Sequence, residues 1–206
     1  MRRVIIPMSA ALVLLGACDS TNGGTPVPVS SAPSAPSASS PVGEVPGPGV
    51  PKVADPIDLA RLEHAPCDSL TPAQVAGLLG SEVETKPEPD AYVGPVCNWE
   101  APGRAGVGII FGKLDKRGLT RVYAEKGKAY AFVEPLEPVD GYPLAAYGPE
   151  DPKIKGEQCM VAVGTSDTQA IDISVDRSEK NIGKGDPCEA ARQVTAMVLG
   201  NAKAGS

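Results

Sequence analysis

Five cysteines stand at positions 18, 67, 97, 159 and 188, and they divide into two chemistries. Cys18 closes Leu15-Gly16-Ala17-Cys18, directly behind an apolar run from Val4 to Leu15 that follows Arg2 and Arg3. Small residues before a cysteine at the end of such a run fit a lipid-attachment signal, in which the backbone enters a signal peptidase and the thiol accepts a diacylglyceryl group. The run is about a dozen residues, short of the ~20 that a helix needs to cross a bilayer. Residues 1–17 therefore read as a cleavable signal peptide, and Cys18 as the lipid-bearing residue, carrying palmitate-like chains, that holds the chain to the extracytoplasmic face of the cell membrane.

Cys67, Cys97, Cys159 and Cys188 are an even number in a chain bound for an oxidising compartment, which makes disulfides their expected state. Three pairings are open. Cys67 with Cys97 and Cys159 with Cys188 is favoured, because each would tie the start of a capped helix to a strand across about thirty residues, a closure worth roughly 3 to 4 kcal/mol. The rival is metal ligation through His64-Ala65-Pro66-Cys67. Structural zinc sites pair their ligands two to four residues apart, and no Cys-x-x-Cys occurs. No metal and no cofactor is expected, and the favoured pairing leaves no free thiol to activate.

Other chemistry is scarce. His64 is the only histidine, so a Ser-His-Asp or Cys-His device would have to use a residue beside Pro66 at the edge of a linker. The chain has no Gly-x-Ser-x-Gly elbow, P-loop or His-Glu-x-x-His. Carboxylates fall in near pairs at Glu82 and Glu84, Glu134 and Glu137, and Asp172 and Asp176. A glycosidase needs two of them across a cleft, whereas alternation along a strand puts Asp172 and Asp176 on a solvent face. The glycines from Gly103 to Gly108 precede a strand rather than a helix and lack the dipole that holds phosphate. Trp99 shares a strand face with Cys97 and is expected to pack on its disulfide. Gly141-Tyr142-Pro143 reads as a hairpin turn whose aromatic is either structural or exposed; if exposed, Tyr142 and Tyr147 with Tyr92 form the candidate contact patch.

Charge narrows the partners. The chain has 19 basic against 25 acidic residues, and loss of Arg2 and Arg3 with the signal takes the net from −6 to −8. Its lysines and arginines are scattered among carboxylates, so no nucleic acid partner is expected.

Two capped helices frame the region that carries these residues. Thr71-Pro72-Ala73-Gln74 has an N-cap, a proline at N1 and a capping-box glutamine; Val75, Leu78 and Leu79 follow, and Gly80 ends a helix over 72–79. Asp186, Pro187 and Glu189 repeat the grammar before an apolar face of Cys188, Ala191, Val194, Thr195 and Val198, with Gly200 as the expected stop. Between them the period is two at Val107–Phe111, Cys159–Val163 and Ile171–Val175. Weaker strands are expected at Val96–Glu100, Tyr130–Leu136 and Leu144–Tyr147, and a short helix around Leu119, Val122 and Tyr123. The fold class is α+β, an antiparallel sheet packed with an N-terminal, a C-terminal and a short middle helix.

From Asp19 to Pro56, nine prolines and seven serines stand against four charges. Such a segment buries too little apolar surface to offset the entropy of ordering it. The expected organisation is a signal at 1–17, a lipidated cysteine and disordered tether at 18–56, and one disulfide-bonded domain at 57–206.

Pro66-Cys67-Asp68-Ser69-Leu70-Thr71-Pro72-Ala73-Gln74, Cys97-Asn98-Trp99, Phe132-Val133-Glu134-Pro135 with Gly141-Tyr142-Pro143, Cys159, and Cys188-Glu189-Ala190-Ala191 together resemble an uncharacterised family of actinobacterial cell-envelope lipoproteins with a domain of unknown function. The resemblance covers nearly the whole domain. It implies a cell-surface lipoprotein with an α/β/α sandwich similar to the PsbP type, and supplies no catalytic residues. The leading expectation is a non-enzymatic envelope module that binds a protein, lipid or glycan. The alternative is a hydrolase of wall or lipid substrates working with carboxylates alone. The two part on whether a pocket gathers two carboxylates or an apolar surface.

Overall fold

The computed structural model describes residues 44–205. The signal, Cys18 and most of the expected tether lie outside the described residues. Seven strands form one open antiparallel sheet: β1 (Glu84–Glu88), β2 (Val96–Glu100), β3 (Gly106–Phe111), β4 (Phe132–Val139), β5 (Tyr142–Gly148), β6 (Gln158–Ser166) and β7 (Gln169–Asp176), in the order β1-β2-β3-β7-β6-β5-β4. The helices are α1 (Ala60–His64), α2 (Pro72–Leu79), α3 (Thr120–Ala124), α4 (Pro152–Lys155) and α5 (Pro187–Ala204). This is the expected α+β class.

Alternation decides the two faces of the sheet. Cys97, Trp99, Val107, Ile109, Phe111, Val161, Val163, Ile171 and Ile173 point to one side, where they form the main core with Leu62, Val75, Val194, Val198 and Leu199 from the helices. A smaller core lies on the other side, where Ala145, Tyr147, Ala162 and Ala170 meet Leu119 and Val122 around α3. Both sheet edges are blunted: β1 reads Glu-Thr-Lys-Pro-Glu and β4 carries Pro135 and Pro138. Proline and charge on edge strands discourage pairing with a further strand.

Four expectations are corrected. The ordered domain begins before Ile57: the Gly47 N–H donates to Thr120 Oγ1 at 2.9 Å, the Val53 N–H donates to Asp167 Oδ1 at 2.9 Å, and Val50 packs on the smaller core. These valines supply the apolar surface that the Pro-rich composition concealed. The hairpin turn is Asp140-Gly141, both at positive φ (51° and 85°), the signature of a type I′ turn. Tyr142 and Pro143 therefore belong to β5, every residue of which is buried. Helix α5 runs through Gly200 to Ala204, since Leu199 and Ala202 still face the core. Asp172, expected on a solvent face, is buried because α3 covers that side of β7.

Candidate functional site

Two disulfides set the framework. Cys67 pairs with Cys97 and Cys159 with Cys188, with Cα–Cα distances of 5.1 and 5.0 Å. The first ties the 3₁₀ turn Pro66–Ser69 to β2, and the second ties β6 to the first turn of α5. Just after Cys67, α2 is capped on both sides of its box: Thr71 Oγ1 accepts from the Gln74 N–H at 3.2 Å and Gln74 Oε1 accepts from the Thr71 N–H at 2.8 Å. Asn201 of α5 then donates to Gln74 Oε1 at 2.7 Å and to the Ser69 carbonyl at 2.9 Å. Of the eight residues of α2 only Val75 is buried, so this short helix rests on the sheet without closing down on it.

The result is a groove of about 330 Å³ between α2, α5 and the ends of β3 and β7. Leu78 and Leu79 form one wall, Val107 and Val175 the floor, and Ala190 and Val194 the facing wall. Its rim is polar. Arg177 donates through Nη1 to the carbonyls of Asn181 and Lys184 and through Nη2 to the carbonyl of Asp186 at 2.8 Å, which fixes the loop from β7 to α5. Its Nε is buried without a hydrogen-bond partner. No carboxylate pairs with Arg177 or with Lys184 among the described residues. The single carboxylate lining the groove is Asp176, and burial pushes its pKa up, against the opposing pull of the Gln158 hydrogen bond and Arg104. An apolar trough with a cationic rim suits an amphiphile: hydrocarbon against the valines and leucines, an anionic group against the rim.

A second hollow, of about 270 Å³, is lined by Tyr147, Glu150, Asp151, Lys155, Glu157 and Gln158, among others. Here carboxylates gather, but two are engaged. Glu150 Oε1 accepts from Lys155 Nζ at 2.5 Å, and Asp151 caps α4 by accepting the Lys153 N–H at 2.9 Å. Behind this hollow, Arg121 of α3 donates to both oxygens of Asp172 at 2.5 and 2.6 Å, and the Tyr147 hydroxyl donates to Asp172 Oδ1 at 2.7 Å. Burial opposes charge on Arg121, yet the Asp172 carboxylate outweighs it and the guanidinium pKa is raised. Burial, reinforced by Asp172, drives the Tyr147 phenol well above the ordinary tyrosine range.

The expected contact patch does not assemble. Tyr92 is 82 % exposed, whereas Tyr142 and Tyr147 are buried. Each of the two hides its ring in a core and sends its hydroxyl to an acceptor, Tyr142 to the Asp55 carbonyl at 2.8 Å and Tyr147 to Asp172. Trp99 is buried in the main core with Cys97. His64 is exposed at the end of α1, and among the described residues no three His, Cys, Asp or Glu side chains gather to hold a metal. Sequence reasoning missed Arg177, Lys184 and the Arg121–Asp172 pair, since partners brought together across a sheet leave no local spacing to read. No described helix is long and apolar enough to cross a membrane.

A family profile described as a protein of unknown function (DUF3558) matches residues 13–201. No curated protein and no solved structure matches the chain. With most of its length matched, the chain belongs to the DUF3558 family.

Proposed function

We propose that this DUF3558 member is a lipid-anchored extracytoplasmic binding module, non-enzymatic, which carries an amphiphile in the groove between α2 and α5. Cys18 supplies the anchor, and the groove takes the ligand's hydrocarbon while exposed Lys184 meets its anionic head, with the charge of Arg177, itself held by the loop carbonyls, beside it. The observation that carries the reading is the apolar trough with two cations on its rim, Arg177 and Lys184, neither of which forms an ion pair with a carboxylate among the described residues. The layering, with α1, α2 and α5 on one face of the sheet and α3 on the other, supports the PsbP-type α/β/α sandwich that the resemblance implies. The carboxylate-lined hollow is the place a hydrolase would use, and the prior engagement of Glu150 and Asp151 argues for the binding module instead.

The ligand test uses lysophosphatidylglycerol, titrated below its micelle concentration into the full chain carrying Cys18→Ser and followed by calorimetry. Saturable one-to-one binding is expected. Ala190→Trp, which fills the trough, should weaken it at least tenfold, and Lys184→Glu should weaken this anionic ligand several-fold while leaving a neutral monoacylglycerol unchanged. Absence of saturable binding to either lipid sinks the reading. For the anchor, Cys18→Ser should release the protein from the membrane with its fold retained, read by fractionation and circular dichroism. A Cys18→Ser chain that stays in the membrane fraction contradicts lipid attachment.

A further inference from the structure

Among the described residues the exposed large hydrophobic side chains are Tyr92, Val93, Leu114 and Ile154, with 82, 43, 58 and 72 % of their surfaces open. The first three gather at one end of the sheet. Tyr92 and Val93 tip the β1–β2 loop, Leu114 follows β3, and the Lys113 N–H donates to the Val93 carbonyl at 3.1 Å. The loop is braced: the Gly94 N–H bonds the Ala91 carbonyl at 3.0 Å and the Phe111 N–H bonds the Pro95 carbonyl at 2.9 Å. Gly94 holds φ +127°, and a Cβ there would lie 1.9 Å from the Phe111 oxygen, so the loop is seated on the backbone at the end of β3. A rigid tip of tyrosine, valine and leucine results, flanked by exposed Lys113 and Lys116.

Its occupant follows from where the chain leaves the domain. The described residues begin at Glu44, and the Gly47 N–H is bonded to Thr120 Oγ1, so the start of the domain lies beside the first turn of α3, at the end of the loop that carries Leu114. Twenty-five residues lie between Cys18 and Glu44, and they span at most roughly 90 Å. An anchor of that length confines the domain to a thin layer above the bilayer, where a weak surface contact is amplified by effective concentration. Tyrosine belongs at the headgroup level, and lysine stems lie along apolar surface with their ammonium groups in water. We propose that the tip formed by Tyr92, Val93 and Leu114 inserts into the interfacial region of a phospholipid bilayer and orients the domain on the membrane. The proposal goes beyond the groove, and from the anchored reading it takes only proximity to the bilayer. Glu88 at the end of β1 and Asp90 on the loop that follows are both exposed and offset the two lysines, so the contact is driven by apolar insertion and depends weakly on anionic lipid.

The test uses the full chain carrying Cys18→Ser with phosphatidylcholine–phosphatidylglycerol vesicles. Co-sedimentation is expected, and Tyr92→Ser with Leu114→Ser should cut the bound fraction at least fivefold with an unchanged circular dichroism spectrum, since both side chains are exposed. In the native, lipidated chain, Tyr92→Trp should place an indole that vesicles with brominated acyl chains quench. A soluble chain that fails to sediment, together with an unquenched indole, overturns the proposal. So does crosslinking from position 92 exclusively to an envelope protein, which makes the tip a protein contact. The soluble arm reads the tip without the anchor, so failure of lipid attachment at Cys18 and failure of the tip give different results.

Discussion

Replacing Cys159 and Cys188 by alanine lowers the unfolding free energy by about 3.5 kcal/mol, read as a drop in the urea midpoint of the non-reduced protein. The main term is entropic. The bond closes a loop of 29 residues, and freeing a loop of that length restores roughly 12 cal/mol/K to the unfolded chain, or about 3.5 kcal/mol at room temperature. Local terms act in the same direction, because both cysteines are almost fully buried and alanine leaves small voids beside β6 and α5. The loss falls short of unfolding α5, since its Asp186 cap and its buried Ala191, Val194, Val198 and Leu199 persist. Against a total stability of ~5 to 15 kcal/mol the effect is still large. Removing Cys67 and Cys97 opens a loop of 30 residues and should cost nearly the same, but that bond also holds the turn leading into α2. Only its loss should loosen the groove wall and weaken the lysophospholipid. A loss below about 1 kcal/mol for the Cys159–Cys188 pair contradicts the loop-entropy account.

Much of the framework was legible because its signals are local. The Thr71 and Asp186 caps set the starts of α2 and α5, and strict alternation marked β3 and β7. What stayed hidden is non-local or carries no periodic pattern. Strand β1 has no apolar alternation at all, since an edge strand with both faces largely exposed needs none. Val50 and Val53 lie among prolines, and only the tertiary fit buries them, Val50 partly against the smaller core that holds Leu119 and Val53 in the main core beside Gly164. Gly141-Tyr142-Pro143 carries the residue types of a turn, but a two-residue hairpin needs positive φ at both central residues, and Asp140 and Gly141, one position earlier, supply it. The groove draws its lining from α2, β3, β7 and α5, and no window of sequence contains it. Alternation also assumed that one face of β7 meets water. It does so only where nothing covers it, and at Asp172 something does.

That cover makes Asp172 the second residue on which stability turns. Asp172→Ala should lower the unfolding free energy by about 3 kcal/mol, toward the lower end for a broken buried pair, because Arg121 retains 18 % and Asp172 10 % of its side-chain exposure. The alanine deletes the acceptor of both Arg121 and Tyr147, and the cost is that of a buried guanidinium and a buried hydroxyl left without partners. Removing both charges together is the diagnostic. Arg121→Met with Asp172→Leu should recover most of the loss, since an apolar pair of similar volume carries no desolvation penalty, and the double-mutant cycle should show a coupling well above 1 kcal/mol. The damage should also be local first. Helix α3 has five residues and only Val122 fully buried, so without its arginine anchor the amides of Thr120–Ala124 should lose hydrogen-exchange protection before the rest of the sheet. Alkaline pH approaches the same knot from Tyr147. Its phenol titrates higher in the folded protein than the ordinary value of 10.0, so the folded state holds that proton more tightly than the unfolded chain. The associated stability is fully present below pH ~10 and is lost as pH rises above it. Tyr147→Phe should remove that alkaline slope while costing about 1 kcal/mol at neutral pH for the lost hydrogen bond. An unchanged alkaline slope in Tyr147→Phe, or an Asp172→Ala variant as stable as wild type, would show that α3 is held by its apolar contacts and not by the charge beneath it.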